Sequence, residues 1–170
     1  INFNSYKEPE FGKLMDNYHR DTKFAFANEI SIICDKLGIN AKNLIQKANY
    51  EFERNNIPFP GPVGGPCLSK DPYILMNSIK KNNLKTRIYS RDTNENFVNL
   101  FINKILREIQ LRKNNIEKIS LLGITFKGKP DTNDTRNSTA ITIINRVKKK
   151  FPRIKIYIYD KFVDNNEIKK

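Results

Sequence analysis

The 170-residue sequence has little histidine, little cysteine and no long apolar run. Its single histidine, His19, rules out a histidine-rich metal site, and we expect no metal. Two cysteines are too few for a disulfide framework. No apolar run approaches the roughly 20 residues of a membrane helix, and no basic-then-apolar segment typical of a signal peptide opens the chain. We therefore expect a cytoplasmic protein with no membrane partner.

The charge is uneven along the chain. Residues 1–70 hold 9 Lys or Arg and 8 Asp or Glu, whereas residues 71–170 hold 22 and 10. A basic half could attract phosphates, nucleic acid or an anionic surface. It could equally reflect a lysine- and asparagine-rich composition spread over solvated helix faces. No recognised RNA- or DNA-binding motif is present, so we expect no nucleic-acid partner.

The first two thirds of the chain has the periodicity of helices. Apolar spacing predicts a long helix from Glu10 to Leu37, ended by Gly38. Asn40 is typical of an N-cap and predicts a second helix, Ala41 to Glu53. The loop at 55–66 then holds four prolines and three glycines.

Two more helices are predicted after this loop. The first has Asp71 as a capping carboxylate and Pro72 at its first position, and it is expected to end near Lys80–Asn83. The second is opened by a capping box at Asp92–Glu95 and runs for about 20 residues.

The period changes at Lys118. Ile119–Ile124 is a continuous apolar strand of the kind buried in parallel sheets. An amphipathic helix at Ser138–Phe151 follows, and a second strand, Ile154–Tyr159, leads to Asp160. This pattern predicts one βαβ unit, part of a doubly wound nucleotide-binding domain.

The predicted fold class is α/β with two domains. Residues 1–115 form an all-helical domain, and residues 116–170 form the first part of a doubly wound, Rossmann-like domain. One βαβ unit cannot cover both faces of a sheet, so we expect this second domain to be truncated at Lys170.

The loop before the third helix carries a candidate nucleophile, Cys67. The sequence from Gly61 to Tyr73 delivers this cysteine just before a helix N-terminus, where unsatisfied N–H groups favour a thiolate. Lys70 adds positive charge three residues on. These features suit a nucleophilic cysteine, but a buried structural cysteine beside a turn fits the residues as well. Cys34 lies in an apolar helical stretch and is predicted to be core.

Two further clusters could carry chemistry. Lys13, Asn17, Arg20 and Phe24 share one face of the first helix, where a lysine and an asparagine can polarise an oxygen; the same face could simply be solvated. The segment from Gly123 to Arg136 follows a strand, at the edge where open α/β sheets bind ligands. Its basic side chains suit phosphates, although an ordinary βα loop remains the alternative.

These three clusters, in this order, resemble the nucleotide-sugar 6-dehydrogenases, the UDP-glucose/GDP-mannose dehydrogenase family. Pro62–Tyr73 resembles the family's catalytic-cysteine motif. Its Gly-Gly-Pro-Cys-Leu and Lys-Asp-Pro-Tyr residues are most similar to those of the branch, particularly its archaeal members, that oxidises UDP-N-acetyl-D-mannosamine. Lys13 and Asn17 match the Lys and Asn of the long central helix. Phe126-Lys127 and Asp134-Thr135-Arg136 match the start of the UDP-binding domain. The family's N-terminal NAD-binding fingerprint, G-x-G-x-x-G, is absent from this sequence.

The resemblance implies an NAD-dependent, four-electron oxidation of a UDP-sugar C6 alcohol to a carboxylate, as part of polysaccharide biosynthesis. It implies a catalytic set in which Cys67 forms a thiohemiacetal and then a thioester. It also implies a homodimer through the long first helix. The implied catalytic residues are Cys67, Lys13, Asn17 and Asp71. The implied substrate-binding residues are Gly61, Val63, Gly64, Gly65, Phe126 and Lys127. The implied cofactor-binding residues are Lys70 and Arg136.

Two alternatives stay open. The substrate could be UDP-glucose, because the pocket for the acetamido group cannot be identified in this stretch. The chain alone could also be a catalytically silent dimerisation or nucleotide-binding fragment, because the main NAD-binding domain is missing from it.

Overall fold

The computed structural model describes residues 4–78, 85–112 and 115–164. Their helices and strands are α1 (Lys7–Leu37), α2 (Ala41–Asn49), α3 (Asp71–Asn77), α4 (Lys85–Leu111), β1 (Lys118–Leu122), α5 (Thr139–Lys150) and β2 (Lys155–Tyr159). The chain divides into two compact units. Unit 1 is Ile1–Val63 with Cys67–Val98, and unit 2 is Gly64–Pro66 with Asn99–Lys170. Helix α4 runs from one unit into the other, and the domain boundary near residue 115 stays a prediction.

Helix α1 is the long helix predicted from the sequence, and it begins three residues earlier, at Lys7. It ends where Gly38 takes a left-handed φ of 68° and donates its N–H to the carbonyl of Cys34. Cys34 itself is buried, as predicted. The helix also buries polar residues, while Phe11, Met15 and Phe26 stay about half exposed.

Helix α2 is shorter than predicted. Asn40 caps it, with its side-chain oxygen accepting from the N–H of Asn43 at 2.9 Å. The helix ends at Asn49, not at Glu53, because Tyr50 takes an extended conformation and Glu51 a positive φ of 52°. The Asn49 amide instead donates to the carbonyl of Ile57 and accepts from its N–H, which fixes the following loop.

Helix α3 begins with Asp71 and Pro72, but its capping differs from the prediction. The residue before the helix is Lys70, and no side chain caps the helix end. The Asp71 carboxylate faces helix α1 instead. The helix ends at Asn77, and the predicted end at 80–83 lies outside the described residues.

Helix α4 begins at Lys85, so the predicted capping box at Asp92–Glu95 is wrong: these residues lie within the helix. Arg91 and Asn94 are one turn apart and buried, and they bond to side chains of α1. Tertiary contacts therefore place this segment inside a helix despite its cap-like sequence.

Unit 2 contains the predicted βαβ unit. Strands β1 and β2 pair in parallel, with Ile119 opposite Ile156 and Leu121 opposite Ile158. The side chain of Ser138 caps α5 by accepting from the N–H of Ala140. The core of the unit is formed by Ile124, Ile144 and Val163, with Leu121, Ala140, Ile156 and Ile158 packed against it.

The strands are buried on one face only, which corrects the expectation of a fully buried strand. Burial alternates along both strands, and Leu122, Tyr157 and Tyr159 lie on the exposed face, with Leu122 78% exposed. In the parts of the chain that the structure describes, no helix is both long and apolar enough to span a membrane.

Candidate active site

Helix α1 buries a stripe of polar side chains in unit 1. Asn17, Asp21 and Asn28 are spaced by four and seven residues, so they share one face of the helix. Buried polar groups are costly unless they are hydrogen-bonded. Asn17 bonds to α3, Asp21 to α4, and Asn28 to both α4 and the loop that carries Cys67.

Asn17 holds the first residue of α3. Its amide donates to a carboxylate oxygen of Asp71 at 2.6 Å, and both residues are buried, Asp71 being only 1% exposed. The other oxygen of Asp71 accepts from the amine of Lys70 at 3.0 Å. Lys70 is 60% exposed, so this ion pair is solvated on one side and contributes little to stability.

Cys67 begins the turn that leads into α3. Its carbonyl accepts from the N–H groups of Lys70 and Asp71, at 3.1 and 2.9 Å. The cysteine is partly buried and is a free thiol, as is Cys34. The turn thus connects Cys67 through its own backbone to Asp71, and through Asp71 to Asn17 on α1.

A buried charged network lies one helical turn along α1. Asp21 accepts from the guanidinium of Arg91 at 2.5 Å and from the amide of Asn94 at 2.8 Å. Burial raises the pKa of Asp21 above its ordinary value, against the opposing effect of Arg91 and Asn94. The second oxygen of Asp21 and Nε of Arg91 have no partner in the described residues.

This network reaches the cysteine loop at both ends. Asn28 donates to Asn94 at 2.9 Å and accepts from the N–H of Gly61 at 2.8 Å. Arg91 donates to the carbonyl of Leu68 at 3.2 Å. The loop from Gly61 to Leu68 is therefore anchored before and after Cys67.

The two glycines before Cys67 pack within unit 2. Gly65 has a φ of 93° and donates to the carbonyl of Asn137 at 2.9 Å. A Cβ on Gly65 would lie 2.4 Å from the ring of Phe126, and one on Gly64 would lie 2.7 Å from the carbonyl oxygen of Asn137. Only glycine fits these two contacts without displacement.

The segment that carries Phe126 is fixed by Asp160, at the end of β2. The Asp160 carboxylate accepts from the N–H groups of Ile124 and Thr125, at 2.7 and 3.3 Å, and from that of Phe162 at 2.8 Å. Burial acts to raise the pKa of Asp160, but these backbone bonds outweigh it and the pKa is lowered. The N–H of Phe126 in turn donates to the carbonyl of Asp134 at 3.0 Å.

Arg136 and Asp134 form an exposed ion pair in the same loop. The Arg136 guanidinium donates hydrogen bonds to both carboxylate oxygens of Asp134, at distances from 2.7 to 3.1 Å. The Arg136 side-chain bond, followed by its backbone N–H, lowers the pKa of Asp134 to about 2. The amine of Lys127 lies 5.3 Å from the centre of the Phe126 ring.

The structure thus groups the predicted residues in two places. In unit 1, Asn17, Asp71, Lys70 and Cys67 are joined by hydrogen bonds or by one turn of chain, and Lys13 is exposed one helical turn before Asn17. In unit 2, Gly64 and Gly65 pack on the segment of Phe126 and Asn137, next to which Lys127 and Arg136 are exposed. Gly61 and Val63 lie in the loop of unit 1. Among the described residues, no group of three His, Cys, Asp or Glu side chains could hold a metal ion.

Sequence reasoning missed five residues that support these groups: Asp21, Asn28, Arg91, Asn94 and Asp160. Asp21 carried a usable signal, because Asn17, Asp21 and Asn28 follow helical spacing together with Ala25. Polar residues on an otherwise core-facing stripe indicate a buried network. Arg91 and Asn94 carried no such signal, since their segment matched a helix start.

Two family domains match the chain. The central domain of the UDP-glucose/GDP-mannose dehydrogenase family matches residues 7–96, and the UDP-binding domain of the same family matches residues 120–170. The first match takes in the helical part with its cysteine loop, and the second takes in most of the parallel βαβ unit. The chain belongs to the UDP-glucose/GDP-mannose dehydrogenase family.

Relatives at the sequence level include UDP-N-acetyl-D-mannosamine dehydrogenases. The protein of that name from Methanococcus maripaludis is 42% identical over 138 residues, which cover 79% of this chain and 31% of the relative. The one from Campylobacter jejuni is 41% identical over 136 residues, covering 79% and 32%. The chain thus spans about a third of the length of the curated relatives it matches.

Solved structures similar to this chain also include UDP-N-acetyl-mannosamine dehydrogenases. The UDP-D-ManNAc dehydrogenase from Pyrococcus horikoshii superposes with a TM-score of 0.72 at 34% identity, covering 89% of this chain and 35% of that one. The UDP-N-acetyl-mannosamine dehydrogenase from Staphylococcus aureus gives a TM-score of 0.74 at 34% identity, covering 94% and 36%.

We predict that Gly65→Ala lowers the free energy of unfolding by about 2 kcal/mol, because its Cβ would meet the Phe126 ring and the residue has a positive φ. Gly61→Ala is the matched control, since nothing lies within 4 Å of its Cβ. Urea unfolding of the two variants measures the difference. Equal stability of the two would show that the close approach at Gly65 is not a constraint.

We also predict that Arg136→Met raises the pKa of Asp134 from about 2 toward its ordinary 3.8, because the side-chain bond is lost while the backbone N–H bond remains. A lowered pKa means that the interaction stabilises the folded chain above pH 3.8, and that this is lost as the pH falls through about 2. An NMR titration of the Asp134 carboxyl measures the shift. Arg112→Met, which removes an exposed arginine paired with Glu108, should leave that pKa unchanged.

Proposed function

We propose that the protein containing this chain oxidises the C6 alcohol of UDP-N-acetyl-D-mannosamine to the carboxylate, with NAD as the oxidant and Cys67 as the nucleophile. The observation that supports this most directly is the buried bond between Asn17 and Asp71, on the turn that begins with Cys67. The bond holds a buried amide and a buried carboxylate on the turn that begins with Cys67, which is a partly buried residue. Relatives that match most of this chain are named for the same activity.

The chain offers two exposed cations that suit a dinucleotide, Lys70 and Arg136, which are 60% and 75% exposed. Lys70 pairs with the carboxylate of Asp71 and Arg136 with that of Asp134, and both side chains are exposed, which suits contact with a phosphate. When bound, NAD supplies the acceptor for the hydrides that leave the sugar. These 170 residues hold no G-x-G-x-x-G fingerprint, so we propose only an auxiliary role in NAD binding for Lys70 and Arg136.

The first oxidation takes the alcohol to the aldehyde. The C6 carbon loses a hydride, and its hydroxyl loses a proton. In our proposal Lys13 stabilises the negative charge that develops on the oxygen, since it is a cation one helical turn from Asn17. Asn17 holds the oxygen or a water beside it, and Asp71 accepts the proton through that water. The Asp71 carboxylate caps no helix, so it is not committed to that structural role.

The second oxidation is covalent. The Cys67 thiolate adds to the aldehyde carbon and forms a C–S bond, which gives a thiohemiacetal. Loss of a second hydride from that carbon leaves a thioester. Water then adds, the C–S bond breaks, and the carboxylate and the thiol are released. The sugar thus loses four electrons in all, and water supplies the second carboxylate oxygen.

The nucleotide is proposed to bind through unit 2, which matches the family's UDP-binding domain. Phe126 is partly exposed, and its ring suits contact with a base or a sugar. Lys127 is exposed, and its amine suits contact with a phosphate. Gly61 and Val63 would let the cysteine loop lie against the sugar. Gly64 and Gly65 are also proposed to contact the substrate, although their contacts with Phe126 and Asn137 already require glycine.

A homodimer is also part of the proposal. Helix α1 leaves Phe11, Met15 and Phe26 about half exposed, and Phe24 partly exposed. Apolar side chains on several sides of one helix favour its burial against another helix. A second copy of α1 is the partner that we propose.

We predict that Cys67→Ser, in the protein containing this chain, abolishes carboxylate formation, because serine is a far weaker nucleophile without a strong base. Cys34→Ala is the control, since Cys34 lies in the core and away from the proposed chemistry. Product mass spectrometry together with NADH absorbance measures the two oxidations. Normal carboxylate formation by the serine variant would eliminate the covalent scheme.

We predict that UDP-N-acetyl-D-mannosamine slows alkylation of Cys67 by iodoacetamide more than UDP-glucose does. The rate is measured against pH by mass spectrometry, with buried Cys34 as the internal reference. Protection by UDP-glucose alone would reassign the substrate. No protection by either sugar would indicate that this chain alone does not form the site.

A further inference from the structure

In the turn that carries Cys67, the carbonyl of Leu68 has no backbone N–H donor in the helix that follows. In a helical turn, the carbonyl of Leu68 would accept from the N–H of the residue four positions on. That residue is Pro72, which has no N–H. Leu68 and Pro72 are both buried, so an unpaired carbonyl here would be costly.

Arg91 supplies the missing donor. Its Nη1 lies 3.2 Å from the Leu68 carbonyl oxygen, and the same guanidinium bonds to Asp21 on α1. The side chain is only 3% exposed. One rigid fork therefore joins three segments of unit 1: helix α1, helix α4 and the cysteine turn.

Leu68 directly follows Cys67, and its carbonyl belongs to the Leu68–Ser69 peptide, so the contact acts one peptide beyond the one that joins Cys67 to Leu68. On the other side of the turn, Asn17 holds Asp71, whose N–H donates to the Cys67 carbonyl. Both anchors start from the polar stripe of α1, at Asn17 and Asp21, one helical turn apart. The turn is thus fixed at both ends by a single helix, and Arg91 forms one of the two links.

We propose that Arg91 is a positioning residue for Cys67, which fixes the turn by pairing the carbonyl that Pro72 leaves open. This inference rests on the proposed function for the role of Cys67 as nucleophile. The position of the turn itself can be measured without any substrate.

A competing explanation is that Arg91 only neutralises the buried charge of Asp21. The two explanations predict different results for a double variant. Arg91→Met alone leaves Asp21 buried without its cation, with only the Asn94 amide still bonded to it, which is costly under either explanation. Arg91→Met combined with Asp21→Asn removes both charges, so overall stability recovers, but the Leu68 carbonyl stays without its donor.

The experiment is hydrogen exchange by mass spectrometry on the amides of Lys70 and Asp71, in the protein containing this chain. These two N–H groups bond to the Cys67 carbonyl and so report on the turn. We expect their exchange to become about tenfold faster in both the single and the double variant, the size expected for one lost hydrogen bond. In the double variant the melting temperature should return most of the way to that of the wild type. Arg112→Met, at an exposed arginine, should change neither.

The catalytic readout follows the same variants. In the double variant, kcat for sugar oxidation should fall at least about tenfold, with KM changed less than twofold, because the nucleophile is misplaced while the substrate contacts remain. Unchanged exchange at Lys70 and Asp71 in the double variant would overturn the positioning role. Wild-type protein that oxidises no UDP-sugar would instead contradict the proposed function, and the exchange data would still decide what Arg91 does.

Discussion

The structure of unit 1 depends on one constraint: helix α1 buries a carboxylate, and a buried carboxylate needs a partner. Asp21 is fully buried, and its partner Arg91 comes from α4, some 70 positions later in the chain. Removing one member of such a pair costs about 3–5 kcal/mol, which is a large share of the stability of a domain. The pair therefore requires α4 to lie against α1, and the other polar contacts follow from that arrangement.

The same constraint explains why a loop rich in glycine and proline can hold a fixed shape. Such a loop has few backbone hydrogen bonds of its own, because proline lacks a donor and glycine adds no side chain. In this chain the missing partners are supplied from outside the loop, by Asn28 at Gly61 and by Arg91 at Leu68. The order of the loop comes from the helices around it, which is a common way to present a reactive side chain on a rigid scaffold.

The parts of the fold that could be predicted from the sequence are those governed by local chemistry. The end of α1 at Gly38, the cap at Asn40 and the parallel strands around Ile119 and Ile156 all depend on residues close in the chain, and all are confirmed. The start of α4 could not be predicted, because Asp92–Glu95 has the sequence of a helix start and only contacts with α1 place it within a helix. The cap expected at Asp71 is wrong for the same reason: its carboxylate bonds to Asn17, 54 residues away, and no side chain caps α3.

Pro72 has a consequence for how the sequence can vary. A residue with an N–H at position 72 could pair the Leu68 carbonyl from within the turn, and Arg91 would then no longer be needed there. With proline at 72, the arginine is bound both to that carbonyl and to Asp21. The tolerance of position 91 to change therefore depends on the residues at 21 and 72. An uncharged residue at 91 would leave both the Asp21 carboxylate and the Leu68 carbonyl without this donor, unless position 21 had lost its charge and position 72 had gained an N–H.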